Sequence, residues 1–151
     1  MATVVSQEIL EALRKIDTPT ICNAIEPLNI RPYTQGFMGM DIRCLFPEMG
    51  VMVGYAVTAT IDSLTPARVH HRDRRWELFQ AIQRSPKPVV LVVKDISPRR
   101  SHSCHFGDGL ATITQRLGAI GLVTDGGVRD IDGVRALGFH YFAAGLVPAH
   151  G

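Results

Sequence analysis

Two glycine-rich stretches hold most of the side chains in this chain that could do chemistry. One runs Ser101-His-Ser-Cys-His-Phe-Gly-Asp-Gly-Leu110, the other Thr124-Asp-Gly-Gly-Val-Arg-Asp130. In the second, Arg129 offers a planar fork suited to gripping a carboxylate with two hydrogen bonds. Asp130 offers a hard oxygen ligand for Mg²⁺, which takes one or two protein carboxylates and completes its shell with water and substrate oxygens. Gly126-Gly127 permits close backbone approach and positive φ angles. Spacing alone fits a plainer arrangement equally well, with Asp130 capping a helix, Arg129 solvated and the glycines forming a turn.

Gly107-Asp108-Gly109 has the same two readings. The simpler one is a helix N-cap at Asp108 between turn glycines. In the functional one, the amides of Gly109 and Leu110 hold a ligand carboxylate at a helix start, where unpaired N–H groups and the helix dipole favour anions, and Asp108 hydrogen-bonds a metal-bound water.

Other groups say less. His102, Cys104 and His105 suggest a soft metal, but a closed zinc site needs four ligands and no second cluster supplies them. The basic run Arg68-Val-His-His-Arg-Asp-Arg-Arg75 reads first as a solvated helix start and second as a patch for an anionic partner. Lys94 lies near the same rim as the glycine bends, but nothing marks its amine for Schiff-base chemistry. There is no G-x-S-x-G elbow and no G-x-x-x-x-G-K-[ST] loop.

The elements that must position these residues follow from periodicity. Ser6–Ile16 predicts an amphipathic helix with Ser6 as N-cap and Ile9, Leu13 and Ile16 on one face. Thr18-Pro19 starts a second helix, with Thr18 capping and Pro19 in the first helical position. Residues 23–50 show no clear period and predict loop with short elements. Val51–Asp62 alternates as a strand does, and after a polar turn Arg74–Arg84 carries Trp76, Phe79 and Ile82 at helical spacing.

From Pro88 on the pattern becomes regular. Pro88–Lys94 is an apolar run typical of a strand covered on both faces. Gly107–Leu117 predicts a helix with Leu110, Ile113 and Leu117 inward and Gly118 as its stop. Ile120–Thr124 is a strand. Asp130–Leu137 is a helix with Ile131, Val134 and Leu137 inward, stopped by Gly138. Phe139–Ala144 is a third strand. Alternating strands and helices predict an α/β fold: a layered sandwich with a mostly parallel core sheet, its bends gathered at the carboxyl ends of the strands.

Composition bounds the class. The chain has 151 residues, 46% of them hydrophobic and 20% charged. That is one domain's worth of sequence with enough apolar content for a core, so disorder and coiled coil are poor readings. A net charge of +2 argues for neither a nucleic-acid nor a membrane partner. No apolar run approaches the ~18 residues of a membrane span. The amino terminus lacks a secretion-signal pattern. Cys22, Cys44 and Cys104 are odd in number and widely spaced, which suits reduced thiols in a cytoplasm.

The run from Gly107-Asp-Gly-Leu-Ala-Thr112 through Gly121-Leu-Val-Thr-Asp-Gly-Gly-Val-Arg-Asp130 to Phe142-Ala-Ala-Gly145 resembles the RraA-like family. That family includes 4-hydroxy-4-methyl-2-oxoglutarate aldolases and protein regulators of ribonuclease E activity. Gly54-Tyr-Ala-Val-Thr58 and the helical start from Thr18 to Ala24 fit its pattern too. The resemblance implies an RraA-like swivelling α/β/β/α domain spanning residues 1–151 and a divalent-metal-dependent class II pyruvate aldolase. It further implies possible oxaloacetate decarboxylase activity and assembly as a trimer or a pair of trimers.

Carried over by motif, Asp130 would ligate Mg²⁺ or Mn²⁺, and Arg129 would bind the 2-oxo acid and offset enolate charge. Asp108 would hold a metal-bound water, and Gly107, Gly109 and Leu110 would line the substrate carboxylate. The alternative within the family is a non-catalytic regulator that binds a ribonuclease or another protein. Two departures stand out. Family members usually continue beyond the position of Gly151, adding an acidic residue that helps complete a neighbouring subunit's metal site, so this chain reads either as a shortened form or as an incomplete sequence. Gly109 stands where a larger residue is common.

Overall fold

The computed structural model describes residues 4–62, 72–100, 102 and 104–149. The polar turn after Asp62 and the first part of the basic run lie outside them. Helix α1 spans Gln7–Leu13, with the Ser6 hydroxyl accepting from Ile9 N. Its inward residue is Leu10, while Ile9 is exposed, so the buried face lies one position round from the predicted one. Helix α2 spans Thr18–Ile25 and is capped by Asp17, whose Oδ1 accepts from Thr20 N at 2.7 Å. The cap is thus one residue earlier than the sequence suggested: a carboxylate accepts from the N3 amide, and Pro19 moves to the second position.

Besides two 3₁₀ turns at Glu26–Leu28 and Pro47–Met49, the remaining elements are β1 (Arg43–Cys44), β2 (Tyr55–Ile61), α3 (Arg72–Arg84), β3 (Val89–Asp95), β4 (Cys104–Phe106), α4 (Asp108–Arg116), β5 (Ala119–Thr124), β6 (Gly127–Val128), α5 (Ile131–Ala136), β7 (His140–Ala143) and β8 (Gly145–Leu146). Gly118 and Gly138 sit just past α4 and α5 at φ +103° and +67°, the left-handed stop that glycine makes cheaply.

Five strands form one sheet in the order β1-β7-β5-β3-β2, parallel except for β1 against β7. From β2 through β3 and β5 to β7 the chain steps across the sheet in one direction. Right-handed crossovers then place every connecting helix on the same face. Packing agrees: Ile82 of α3, Ala111 of α4 and Val134 of α5 join Val57, Leu91, Leu122 and Tyr141 of the sheet in one buried cluster. Each buried valine, leucine or isoleucine among them is worth about 1.5–3 kcal/mol of burial. Trp76 and Ile113 are exposed instead; in α4 the inward face is carried by Ala111 and Thr114, with Leu110 and Leu117 packed against the core as predicted. The opposite face bears Ala56, Thr58, Thr60 and Lys94 at the surface. A groove of about 590 Å³ crosses it over Ala56, Val90, Val123 and Phe142, beside the start of α2.

The second sheet, β4-β6-β8, is also parallel. Its members are two or three residues long and were hidden inside stretches the sequence reads as loop. It joins the same core through Phe106 and Val128. Phe106 stands edge-on to Tyr141, which stacks on Phe46 with ring centroids 5.8 Å apart.

Candidate functional site

The two bends leave the small sheet rather than the large one. Gly107-Asp108 follows β4 into α4, and Arg129-Asp130 follows β6 into α5. Parallel pairing of β4 with β6, with Phe106 opposite Val128, sets them side by side, and Arg129 N donates to Phe106 O at 3.1 Å. The bends therefore converge, and the amide of Asp108 donates to Asp130 Oδ2 at 3.3 Å.

Asp130 occupies the cap position of α5 but makes no cap hydrogen bond to it. Its backbone is left-handed, at φ 58° and ψ 40°, a conformation uncommon outside glycine but accessible to Asp. That turn carries the carboxylate across to the start of α4. The plain reading of Asp130 as the cap of its own helix is therefore not what forms. Oδ2 also takes an ion pair from Arg129 Nε at 3.2 Å. Among the described residues Oδ1 has no partner, and neither Nη group of Arg129 has one. Both side chains are about one-third exposed, at 28% for Arg129 and 35% for Asp130.

The first helical bond in α4 is Ala111 N to Gly107 O. The amides of Gly109 and Leu110 thus fall among the unpaired donors of the first turn. Asp108 is the first helical residue rather than the N-cap, which is Gly107, and no side chain caps this helix. The Asp108 carboxylate lies alongside Gly133 of α5. All the residues predicted to line the site, Gly107, Asp108, Gly109, Leu110, Arg129 and Asp130, stand at this one corner.

Gly107 matters here through contact rather than through its φ of −136°, which any residue adopts. A Cβ there would fall inside the contact shell of Asp130 Oδ2 and within 3.0 Å of Arg129 Nε. At Gly109 a Cβ would meet nothing within 4 Å, so a larger residue would fit and glycine leaves that space open. The glycine pair of the second bend does not adopt positive φ. Gly126 is needed because a Cβ there would come within 2.8 Å of His105 Cε1.

The structure separates His102, Cys104 and His105. Cys104 is buried, with its Sγ donating to Phe106 O, and burial pushes its thiol pKa up. His105, next along the strand, contacts Thr124 on another side. His102 is exposed. Among the described residues no three His, Cys, Asp or Glu side chains group closely enough to hold a metal by themselves. The Asp130 corner fits the other kind of site, one protein carboxylate with an open oxygen, the rest of the shell coming from water and substrate.

Sequence reasoning missed a second polar corner at the carboxyl ends of β3 and β5. Asp125 Oδ1 accepts from Asp95 N at 2.7 Å, and its Oδ2 pairs with Arg100 Nη1 at 2.6 Å. Burial works against this carboxylate's charge, but the Asp95 amide and Arg100 hold its pKa below the usual value. Asp95 Oδ1 accepts from Ser97 N. The signal was there in Asp95 and Asp125, each closing an apolar strand.

Comparison with known proteins places the chain in a family. The profile of the RraA-like family, described as Aldolase/RraA, matches residues 11–151, so the chain belongs to that family. Among solved structures it is similar to RraAS2 of Streptomyces coelicolor, described as an unusual member of the RNase ES inhibitor RraA protein family. There the identity is 23% and the TM-score 0.68, over 97% of this chain and 67% of that one. A structure described as novel cellulases from microbes of the gut ecosystem matches at 16% identity and TM-score 0.78, over 99% of this chain and 63% of that one. The RNA-processing inhibitor RraA from Thermus thermophilis matches at 17% identity and TM-score 0.53, over 85% and 68%. This chain thus spans about two thirds of the length of each, and these likenesses establish the shared α/β fold. Among the described residues no helix is long and apolar enough to cross a membrane.

Proposed function

We propose that this chain is a divalent-metal-dependent carbon–carbon lyase. It cleaves 4-hydroxy-2-oxo acids of the 4-hydroxy-4-methyl-2-oxoglutarate type to pyruvate and decarboxylates oxaloacetate at the same corner. The observation that carries the reading is Asp130. Its left-handed backbone turns a carboxylate away from its own helix, sets it against Arg129 and the start of α4, and leaves one oxygen open. Backbone outliers of this kind cluster at functional sites.

Asp130 would hold Mg²⁺ or Mn²⁺, which when bound polarises the 2-oxo carbonyl as a Lewis acid. The unpaired amides of Gly109 and Leu110 receive the substrate carboxylate at the positive end of α4. The free Nη groups of Arg129 face the charge that develops as the C3–C4 bond breaks and its electron pair moves into the enolate; a positioned donor of this kind is worth ~10²–10³ in rate. Asp108 serves through a water as base for the proton of the C4 hydroxyl. Protonation of the enolate at C3 then gives pyruvate.

Pyruvate release from 4-hydroxy-4-methyl-2-oxoglutarate and from oxaloacetate, with Mg²⁺ and then with EDTA, tests this. Activity should vanish with chelator and in Asp130→Ala. Equal rates with and without EDTA would sink the metal mechanism.

A second reading is a regulator that binds a ribonuclease or other protein. It is favoured by the inhibitors among the similar structures and by exposed Arg74 and Arg75 at the head of α3. Charge reversal at both arginines should then abolish capture of a ribonuclease E-type partner. Assembly as a trimer or hexamer accords with the apolar side chains of Ile30, Tyr33, Phe37 and Met40, all more than 60% exposed, a pattern that marks association surfaces. Light scattering would report the mass.

A further inference from the structure

Behind the Gly126-Gly127 bend lies a set of polar groups that the proposed reaction does not use. Thr124 ends β5 and is buried. Its Oγ1 accepts from Gly126 N at 3.1 Å and lies 3.3 Å from His105 Nε2. The hydroxyl therefore joins the backbone of the bend to an imidazole on the neighbouring strand. Either neutral tautomer of the ring closes this contact, accepting the threonine proton or donating its own.

The contact matters because β6 is so short. Its pairing to β4 consists of Cys104 opposite Gly127 and Phe106 opposite Val128, with a register irregularity between them. Short, glycine-containing strands specify their register weakly. Strand β4 compensates by touching the bend at both ends. The His105 ring meets Thr124 and Gly126 where the bend begins, and the Phe106 carbonyl takes the Arg129 amide where it finishes. Asp125, between them, is turned the other way, onto Asp95 and Arg100.

We propose that His105 and Thr124 form a buried latch that fixes the start of this bend and thereby sets where Arg129 and Asp130 stand. His105 is a positioning residue acting through Thr124 and Gly126. The inference rests on reading Arg129 and Asp130 as the cation and oxo-acid site, and its test separates the two claims.

The whole chain is titrated calorimetrically with Mg²⁺ in the presence of pyruvate. Thr124→Val keeps the side-chain shape and removes Oγ1, and His105→Leu removes the ring nitrogens; each should weaken binding about 10- to 100-fold, as loss of groups that orient metal ligands does. Thr124→Ser and His105→Gln keep the polar contact and should restore wild-type affinity. The double variant should be no worse than either single, because both break one link. Wild-type affinity in both Thr124→Val and His105→Leu overturns the proposal, and Thr124→Val alone decides if His105→Leu does not fold.

Amide exchange at Arg129, which lies five residues along the chain from Thr124 and bonds Phe106 O rather than either substituted side chain, supplies the independent readout. It should accelerate in Thr124→Val if the latch holds the bend. If the wild-type chain binds no Mg²⁺–pyruvate, the site reading fails, and this exchange rate decides the latch: faster supports it, unchanged overturns it.

Discussion

The two polar corners that flank β6 are made from similar residue types and are finished differently. Where the bend begins, Thr124, Asp125, Asp95 and His105 are turned inward. Asp125 is 13% exposed, and both its oxygens are taken by an amide and a guanidinium. Where it finishes, Asp130 is 35% exposed, with one oxygen engaged and one open. Arg129 uses Nε and keeps its two Nη groups in reserve. Hydrogen-bonding capacity that is used up internally holds the chain in place, and capacity left over at the surface is what a ligand can meet. An Asp followed by glycines and an Asp preceded by arginine thus part company through burial and partners rather than through residue type.

Adding a methyl group at the open corner should break this contrast most sharply. Gly107→Ala drives a Cβ into the Asp130 carboxylate; we expect about 10- to 100-fold weaker Mg²⁺–pyruvate binding and a loss of about 1–3 kcal/mol in urea denaturation, the usual cost of overpacking. Gly109→Ala, in open space on a helical backbone, is the control and should fold with at least wild-type stability.

Next in size is Tyr141→Phe. The Tyr141 hydroxyl is buried and has no partner among the described residues, and an unsatisfied buried group of this kind costs about 1–3 kcal/mol. Its removal should raise the unfolding free energy; a decrease would show that the hydroxyl is bonded.

A smaller effect concerns acidity. Burial lowers the pKa of His105 and His140 below 6.5, although Asp95 and Asp125 pull the first upward and Glu48 the second. The unfolded chain then binds more protons than the folded one below that value, so stability rises with pH there. It should be complete above pH 6.5 and decline as the pH falls through the folded values. Denaturation midpoints that match at pH 7.5 and 5.5 would contradict this.

The smallest expected effect is that of Arg100→Ala. Its ion pair with Asp125 is exposed on the arginine side, and such pairs contribute little. The thermal midpoint should stay within error, whereas Asp125→Ala, which also strips the Asp95 amide of its acceptor, should lower it.

Long apolar or alternating segments were legible in the sequence. Val89–Asp95 and Tyr55–Ile61 formed where periodicity placed strands, and Gly118 and Gly138 stopped their helices. Local propensity did not settle which helical face turned inward. Leu10 is buried rather than Ile9, and Ala111 and Thr114 rather than Ile113, because the sheet and neighbouring helices choose the face. The strands β4 and β6 escaped notice because two or three residues carry no period, and their partners are remote in sequence. The convergence of Gly107-Asp108 with Arg129-Asp130 was legible as two bends on one rim. The left-handed Asp130 that joins them was not, since aspartate is usually read as a helix cap.

The one-way order of the strands leaves Thr58 and Thr60 exposed on the back of the sheet, with α3, α4, α5 and the small sheet packed in front. A dye or tether attached there would lie on the face of the large sheet opposite the one against which the small sheet and its bends pack. The molecule can therefore be tethered from behind without modifying the Arg129–Asp130 corner.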